Sequence, residues 1–423
     1  MVTLYDVAKH AGVSIATVSR VLHGQDRVRE STRARVRAAI DELGYVPDSA
    51  AQSLARSRKD VIGLVCVERD KPHHSNIESM SLLFYDEVMR GVESRVRERH
   101  ISLLITYLRE DETLATPVTE DEPVLPRLLA LSGKVDGLLI GEGVVPPLVV
   151  AGLARRLPVV VVAGDTDQRS TDVVAADNWS GAHAVVTHLV AEHGRRRLFH
   201  VDGPASAPDA KVRRLAMQAV IDAHPGTVLT GTYSGRFSVG SGEDAAVRLL
   251  DDTRASAGAS GALPDAIVCA NDQMAIGVLR ALAARGVRVP QDVAVVGFDD
   301  IFPASLGDPP LTTVRQPIRE LGERACERLF ERIADPSPRP KVELLPIELV
   351  LRSSCGCPPG TAVRRPVTPL QPPKCAPGHA PKKAPPRPAA STPPQSPSVP
   401  PQSPSSPPQP PNSVPSQPPD NER

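Results

Sequence analysis

Seven short runs dominated by Val, Ile and Leu constrain this chain more than any other feature. They are VIGLVCV (61–67), ISLLITYL (101–108), VDGLLIG (135–141), PVVVVAG (158–164), RLFHVDG (197–203), DAIVCAND (265–272) and DVAVVGFDD (292–300). A strand with one face in water alternates apolar with polar residues, whereas a near-continuous apolar run suits a strand covered on both faces. Helical patterns stand between the runs and supply the crossovers that parallel strands require. The stretch from residue 60 to 357 therefore reads as parallel α/β structure. Roughly 290 residues is large for one core of this kind, so two similar sheets with a cleft between them are expected. The expected lobes are residues 60–163 with 293–322, and 164–292 with 323–357.

The first 46 residues follow a different pattern. Leu4, Val7, Ala8 and Ala11 fall at i, i+3, i+4 and i+7, one face of a helix. Thr3 followed three residues later by Asp6 reads as a capping box with Asp in place of Glu, and Gly12 allows the left-handed turn that ends a helix. Ser14 starts a second helix whose Val18, Val21 and Leu22 point inward. Val36, Ala39, Ile40 and Leu43 repeat the spacing in a third, which ends at Gly44. Helices this short are marginal alone, so the three are expected to pack as a helix-turn-helix unit. The second helix leaves Ile15, Ala16, Thr17, Ser19 and Arg20 outside, with no acidic residue from Ile15 to Gln25. Hydroxyls suit phosphate oxygens, and an arginine can read guanine bidentately in the major groove.

Charge agrees with that reading locally rather than globally. The chain carries 49 Lys+Arg against 49 Asp+Glu, but residues 1–59 hold ten basic residues against six acidic ones, a modest footprint for nucleic acid. The opening MVTLYDVAKH lacks the charged start and apolar core of a secretory signal, and no apolar run approaches a membrane span. A cytoplasmic protein without a membrane partner is expected. An enzyme is not: there is no nucleotide fingerprint after a strand, no P-loop, no GxSxG and no HExxH, and a hydrolase pair of Asp299 and His200 would need a particular geometry. A solute-binding transport protein would share the cleft but not the headpiece.

TLYDVAKHAGVSIATVSRVL (3–22) and RVRAAIDELGYVPDSAAQSLA (35–55) resemble the DNA-binding headpiece of the LacI/GalR (lactose/galactose repressor) family. The likeness continues through ANDQMAIGVLRALAARGVRVPQDVAVVGFDD (270–300) and LTTVRQPIRELG (311–322), covering residues 3–354. The resemblance implies a headpiece at 1–46 and a hinge helix or linker at 47–59, with Leu54 as a wedge in the minor groove. It places Ile15, Ala16 and Arg20 at base-reading positions and Thr3, Ser14, Thr17 and Ser19 at phosphate-holding ones. Leu4, Tyr5 and His23 complete the DNA-facing set. His23 stands where the family often has Asn, and Arg29 where it often has a capping Ser, so the third helix is expected to start differently.

Asn271 and Asp299 stand at the carboxyl ends of two strands, where parallel α/β sheets bind ligands. Both match effector positions of the family, as do Arg213, Phe237, Gln316, and the aromatics Phe84 and Tyr85. Charged groups and an amide around an aromatic face suit a sugar or polyol; a purine would stack as well. The resemblance thus implies a homodimeric repressor of a palindromic double-stranded DNA operator, under control of a small molecule. A purine-like ligand, a partner protein or action as an activator are the alternatives. The departures are Ala216-Met217 in place of Gly-Phe, Ala163 where Asp is common, and a longer loop at 68–83 whose His73 and His74 read as solvated.

Six cysteines are too few and scattered for a disulfide framework. Cys355-Gly-Cys357 is a close pair whose nearest further ligands along the chain are Cys375 and His379, so inert thiols and no metal or other cofactor are expected. Residues 358–423 hold 24 of the 45 prolines, mixed with Ser and Gln. Such a segment buries too little apolar surface to fold, and a disordered tail is expected there.

Overall fold

The computed structural model describes residues 2–22, 28–45, 58–68, 83–109, 126–141, 143–164, 170–255, 262–360 and 363–372. Helices α1 (Leu4–Ala11), α2 (Ile15–Leu22) and α3 (Glu30–Leu43) form where the spacing puts them. The capping box is present: the Asp6 amide donates to Thr3 Oγ1 at 3.4 Å, and the Thr3 amide donates to Asp6 Oδ2 at 2.8 Å. Gly12 turns the chain at φ 62°, a conformation that costs residues with a Cβ roughly 1–2 kcal/mol. Arg29 makes no side-chain cap at the start of α3. Val7, Ala8, Ala11, Val18, Val21, Val36 and Ala39 form the small core that none of the helices could bury alone.

All seven apolar runs contribute strands. In the first lobe β1 (Val61–Glu68), β2 (Ser102–Arg109), β3 (Gly137–Gly141), β4 (Val159–Val162), β5 (Asp172–Ala176) and β11 (Val342–Leu345) make a six-stranded parallel sheet in the order β11-β5-β4-β3-β1-β2. β3, β4 and β5 are buried along their whole length, as double-sided covering requires. In the second lobe β6 (Arg197–Asp202), β7 (Val228–Ser234), β8 (Ala266–Cys269) and β9 (Ala294–Val296) make a parallel sheet in the order β7-β6-β8-β9. A small antiparallel sheet, β10 (Thr313–Arg315), β12 (Glu348–Leu351) and β13 (Val363–Pro366), lies in the order β10-β12-β13.

The helices that matter below are α4 (Leu83–Glu98), α5 (Pro126–Ser132), α6 (Pro147–Ala154), α7 (Asn178–Thr187), α8 (Pro208–Ala223), α9 (Val239–Ala255), α10 (Asp272–Ala283) and α11 (Ile318–Ala334).

The lobes divide the chain differently from the expectation. Residues 293–316 do not join the first lobe, because β9 pairs with β8, Ala266 opposite Ala294. Residues 323–345 do not join the second, because β11 pairs with β5, Val342 opposite Val173, and α11 buries Leu321, Ala325 and Leu329 in the first lobe's core. β5, expected in the second lobe, belongs to the first. The strand memberships place the crossovers after Ala176, Arg315 and Leu345.

The expectation of disorder from residue 358 is also corrected. β13 pairs antiparallel with β12, Leu351 opposite Val363, and the Leu370 amide donates to Ser180 Oγ at 2.8 Å. A free strand edge gives VRRP a ladder to join although all four of its residues are exposed. Residues 373–423, with Cys375 and His379, lie outside the described residues.

Candidate functional site

On α2 the inward set Val18 and Val21 fixes the rotation of the helix, and Ile15, Ala16 and Arg20 are left exposed, Ile15 at 47%. Ser14 accepts from the Thr17 amide at 3.2 Å, and the two hydroxyls lie 2.9 Å apart. Thr17 and Ser19 are half-buried at the edges of this face; Thr3, the cap of α1, and Tyr5 on it are exposed, and Leu4 is half-buried. On α2 the result is a face without acidic residues, carrying one cation, hydroxyls at its margin and two apolar residues, Ile15 and Ala16. His23 and Leu54 lie outside the described residues, as do His73 and His74.

The second constellation is built where crossovers meet strand ends. Arg213, on α8, is 5% exposed. Its Nε donates to Asn178 Oδ1 at 2.8 Å and its Nη1 to the Ala270 carbonyl at 2.6 Å. Asp209 Oδ2 lies 3.3 Å from Nη2 and Asp299 Oδ1 3.7 Å from Nη1. The guanidinium stacks on the Phe298 ring, 3.8 Å from its centroid. Gln316, just past the second crossover, donates to Asp299 Oδ1 at 2.6 Å. Asn271 caps α10 by accepting from the Met274 amide at 3.0 Å, and donates to the Phe237 carbonyl at 3.2 Å.

The paired aspartates after β9 are aimed in two directions by their backbone. Asp299 has φ 121° and Asp300 φ 56°, positions that non-glycine residues seldom hold without support from their surroundings. Asp300 supplies that support: it accepts from Arg315 Nε and from Arg352 Nη2, each at 2.6 Å. Asp299 is thereby left facing Arg213. Burial pushes its carboxyl up to about 7 against the lowering pull of Arg213 and Gln316. Asp272, fully buried, accepts from Thr313 Oγ1 at 2.5 Å and from the Ile301 amide at 3.0 Å. Burial, together with Asp299, holds it well above the usual carboxylate range.

Of the seven expected effector residues, Arg213, Asp299 and Gln316 are joined by direct contacts, and Asn271 and Phe237 form a second contacting pair tied to Arg213 through Ala270, the chain neighbour of Asn271. Phe84 and Tyr85 are on the first lobe, at the start of α4, in an edge-to-face pair 5.5 Å apart, with Tyr85 against Gly141. Sequence reasoning missed Asn178 and Phe298. Asn178 follows a strand, β5, that was not recognised, and Phe298 looked like one more core residue of its run. His200 is used elsewhere: its Nδ1 lies 2.9 Å from the Val268 carbonyl and its Nε2 3.3 Å from Asp202.

A three-helix unit with an exposed reading face and a two-lobed α/β core with a buried polar cluster at its crossovers define a ligand-responsive DNA-binding protein. Comparison with known proteins agrees. The family described as "Bacterial regulatory proteins, lacI family" matches residues 3–48, and "Periplasmic binding protein-like domain" matches 186–355. The ribose operon repressor of Escherichia coli (strain K12) is 32% identical over 352 residues, covering 82% of this chain and 98% of its own. The transcriptional repressor PurR of Pasteurella multocida is 29% identical over 362 residues, covering 84% and 98%. A crystal structure of the lac repressor dimer, bound to operator and the anti-inducer ONPF, superposes with a TM-score of 0.70 at 27% identity, covering 84% of this chain and 99% of that one. The chain belongs to the LacI family of bacterial transcriptional regulators. Among the described residues no helix is long and apolar enough to cross a membrane.

Proposed function

We propose that this chain is a homodimeric repressor whose two headpieces, residues 1–46, bind the half-sites of a palindromic operator in the cytoplasm. Residues 47–59 act as the hinge, and Leu54 is its minor-groove wedge. A sugar or related polyol in the cleft sets operator affinity. The observation that carries this reading is the environment of Arg213: a buried guanidinium shared among Asn178, Asp299 and the Ala270 carbonyl, at the crossovers between lobes. Vicinal hydroxyls bond well to a guanidinium and a carboxylate together, and Phe237, whose carbonyl accepts from Asn271, offers an apolar ring to the ligand. Thr3, Leu4, Tyr5, Ser14, Thr17 and Ser19 hold the headpiece on the backbone, while Ile15, Ala16 and Arg20 read bases. A ligand alters DNA affinity only by its preference between the two lobe arrangements, commonly about 1–3 kcal/mol.

The test is calorimetric titration of a panel of sugars and purines into the full chain, with operator affinity measured alongside. A sugar that binds the wild type, shifts operator affinity and fails to bind Asp299→Ala supports the proposal. The Phe84–Tyr85 pair favours a second reading, a purine-like ligand stacked on these rings, and purine binding in the same panel would select it. Operator binding indifferent to every compound that occupies the cleft would overturn both.

A further inference from the structure

The close pair Cys355-Gly-Cys357 finds its partners in the second lobe rather than in the tail. His188 and His193 meet it, and one ligand atom from each of the four residues lies within 4.8 Å of all the others. His188 Nε2 and His193 Nε2 are 3.0 Å apart. Cys357 Sγ is 3.4 Å from each of these nitrogens, and Cys355 Sγ is 3.5 Å from His188 Nε2. A tetrahedral zinc ion with Zn–N of about 2.0–2.1 Å and Zn–S of about 2.3 Å requires N···N edges of roughly 3.3 Å and S···N edges of roughly 3.6 Å. The four edges just given fall within about 0.3 Å of those values. We propose that His188, His193, Cys355 and Cys357 form a structural zinc site, one per chain.

The local structure is shaped for this purpose on both sides. After α7 the helix widens into a π-helical turn, His188–Glu192. In an α-helix residues five apart point about 140° away from each other, but the wider turn brings the two imidazoles together edge to face, 4.7 Å between centroids. Such π-turns are frequent at functional sites. On the other side a 3-10 turn, Ser353–Cys355, leads into Gly356 at φ 113°, where an added Cβ would stand 3.2 Å from the His193 ring. The glycine lets the second sulfur turn back beside the first.

The surroundings fit as well. Cys355 and His188 are almost fully buried, with relative exposures of 0% and 2%. Glu192 Oε2 approaches His188 Nδ1, the ring nitrogen facing away from the cluster, at 3.2 Å, and Arg365 of β13 pairs with Glu192 at 3.0 Å. A carboxylate behind a ligating histidine orients the ring and raises its basicity. Thr312 Oγ1 stands 3.2 Å from Cys355 Sγ. Two thiolates and two imidazoles with no position left open are the donor set of a closed zinc site, not of a catalytic one. Binding would release the thiol protons to solvent and tie the end of α7 to the segment after β12, more than 160 residues further along the chain.

The experiment uses the full chain, expressed with zinc in the medium. Elemental analysis should give one zinc per chain, and cobalt substitution should give the visible spectrum of a tetrahedral ion with sulfur-to-metal charge transfer. A Cys357→Ser/His193→Asn variant should lose the bound zinc, and chelator should lower the Tm of the wild type but not of this variant. Both substituted side chains are only half-buried, and circular dichroism checks that the variant folds. A Cys375→Ser/His379→Asn control should keep its zinc. Zinc far below one per chain, a cobalt spectrum without thiolate character, a Cys355–Cys357 disulfide, or zinc lost in the control rather than the variant would overturn the proposal.

Discussion

In the proposed function, Arg20 and Asp299 divide the work between base reading and effector response. Ile15 and Ala16 offer DNA only apolar contacts, such as to a thymine methyl, so hydrogen-bonded base reading on α2 falls to Arg20. Arg20→Ala should cut the preference for operator over random duplex by about 1–3 kcal/mol, measured as the ratio of the two affinities at fixed salt. Asp299→Ala should leave operator affinity intact and remove the response to effector in the same assay. The Asp299 carboxyl also predicts a pH dependence. Its folded value of about 7 lies above its ordinary 3.8, so between those values the folded chain holds a proton that the unfolded chain has released. Stability from this group is therefore greatest below about pH 4 and falls as pH rises towards 7. Thermal melts from pH 5 to 8 should show a flatter Tm profile for Asp299→Asn than for wild type. The sequence singles out both residues, one from an acid-free helix face and one from its place at a strand end. It does not single out Asn178 and Phe298, because nothing local distinguishes an amide or a core ring that a distant arginine will use.

Elements were legible where their pattern is uniform and hidden where pairing decides. Six of the seven apolar runs became strands buried over most of their length, where burial on both faces writes itself into the residues; β2, at the edge of its sheet, leaves Leu104 and Ile105 exposed although its run looked the same. β7 escaped: its residues alternate half-buried and exposed at the edge of its sheet, and VLTGTYS has too few apolar residues to announce a strand. β13 escaped because its only recommendation is the free edge of β12. Removing residues 363–372 from a chain already ending at Pro372 should therefore lower Tm, since it strips a ladder and the Leu370–Ser180 bond; equal melts would mean that β13 contributes nothing. Helix packing shows a second feature that spacing alone does not reveal. Gly242 of α9 and Gly277 of α10 face each other's backbones, so that a Cβ on either would meet Met274 O or Val239 O. Gly277→Ala should force the helices apart and cost about 1–3 kcal/mol, read from denaturant midpoints.

At the scale of the whole chain, the sequence predicted two lobes but not which segments belong to each. Lobe membership depends on which edge a strand finds: β9, fully buried, stays beside β8, whereas β11, with only Leu345 buried, returns across a crossover to the edge of the first sheet beside β5. In the proposed function the crossovers matter because Asn178 and Gln316 lie beside them, so a change in how the lobes pack would bear directly on the groups around Arg213. Operator control requires that a ligand there prefer one packing over the other and that the two headpieces of a dimer feel the difference. The central claim, sequence-specific DNA binding under small-molecule control, is tested most directly by selecting bound duplexes from a random pool with the full chain. The selection is run at fixed salt, because phosphate contacts make affinity strongly salt-dependent, and is repeated with a panel of sugars and purines. The account predicts a palindromic motif whose enrichment changes with a cleft ligand and whose preference is lost in Arg20→Ala. Absence of any enriched motif under every condition would contradict it.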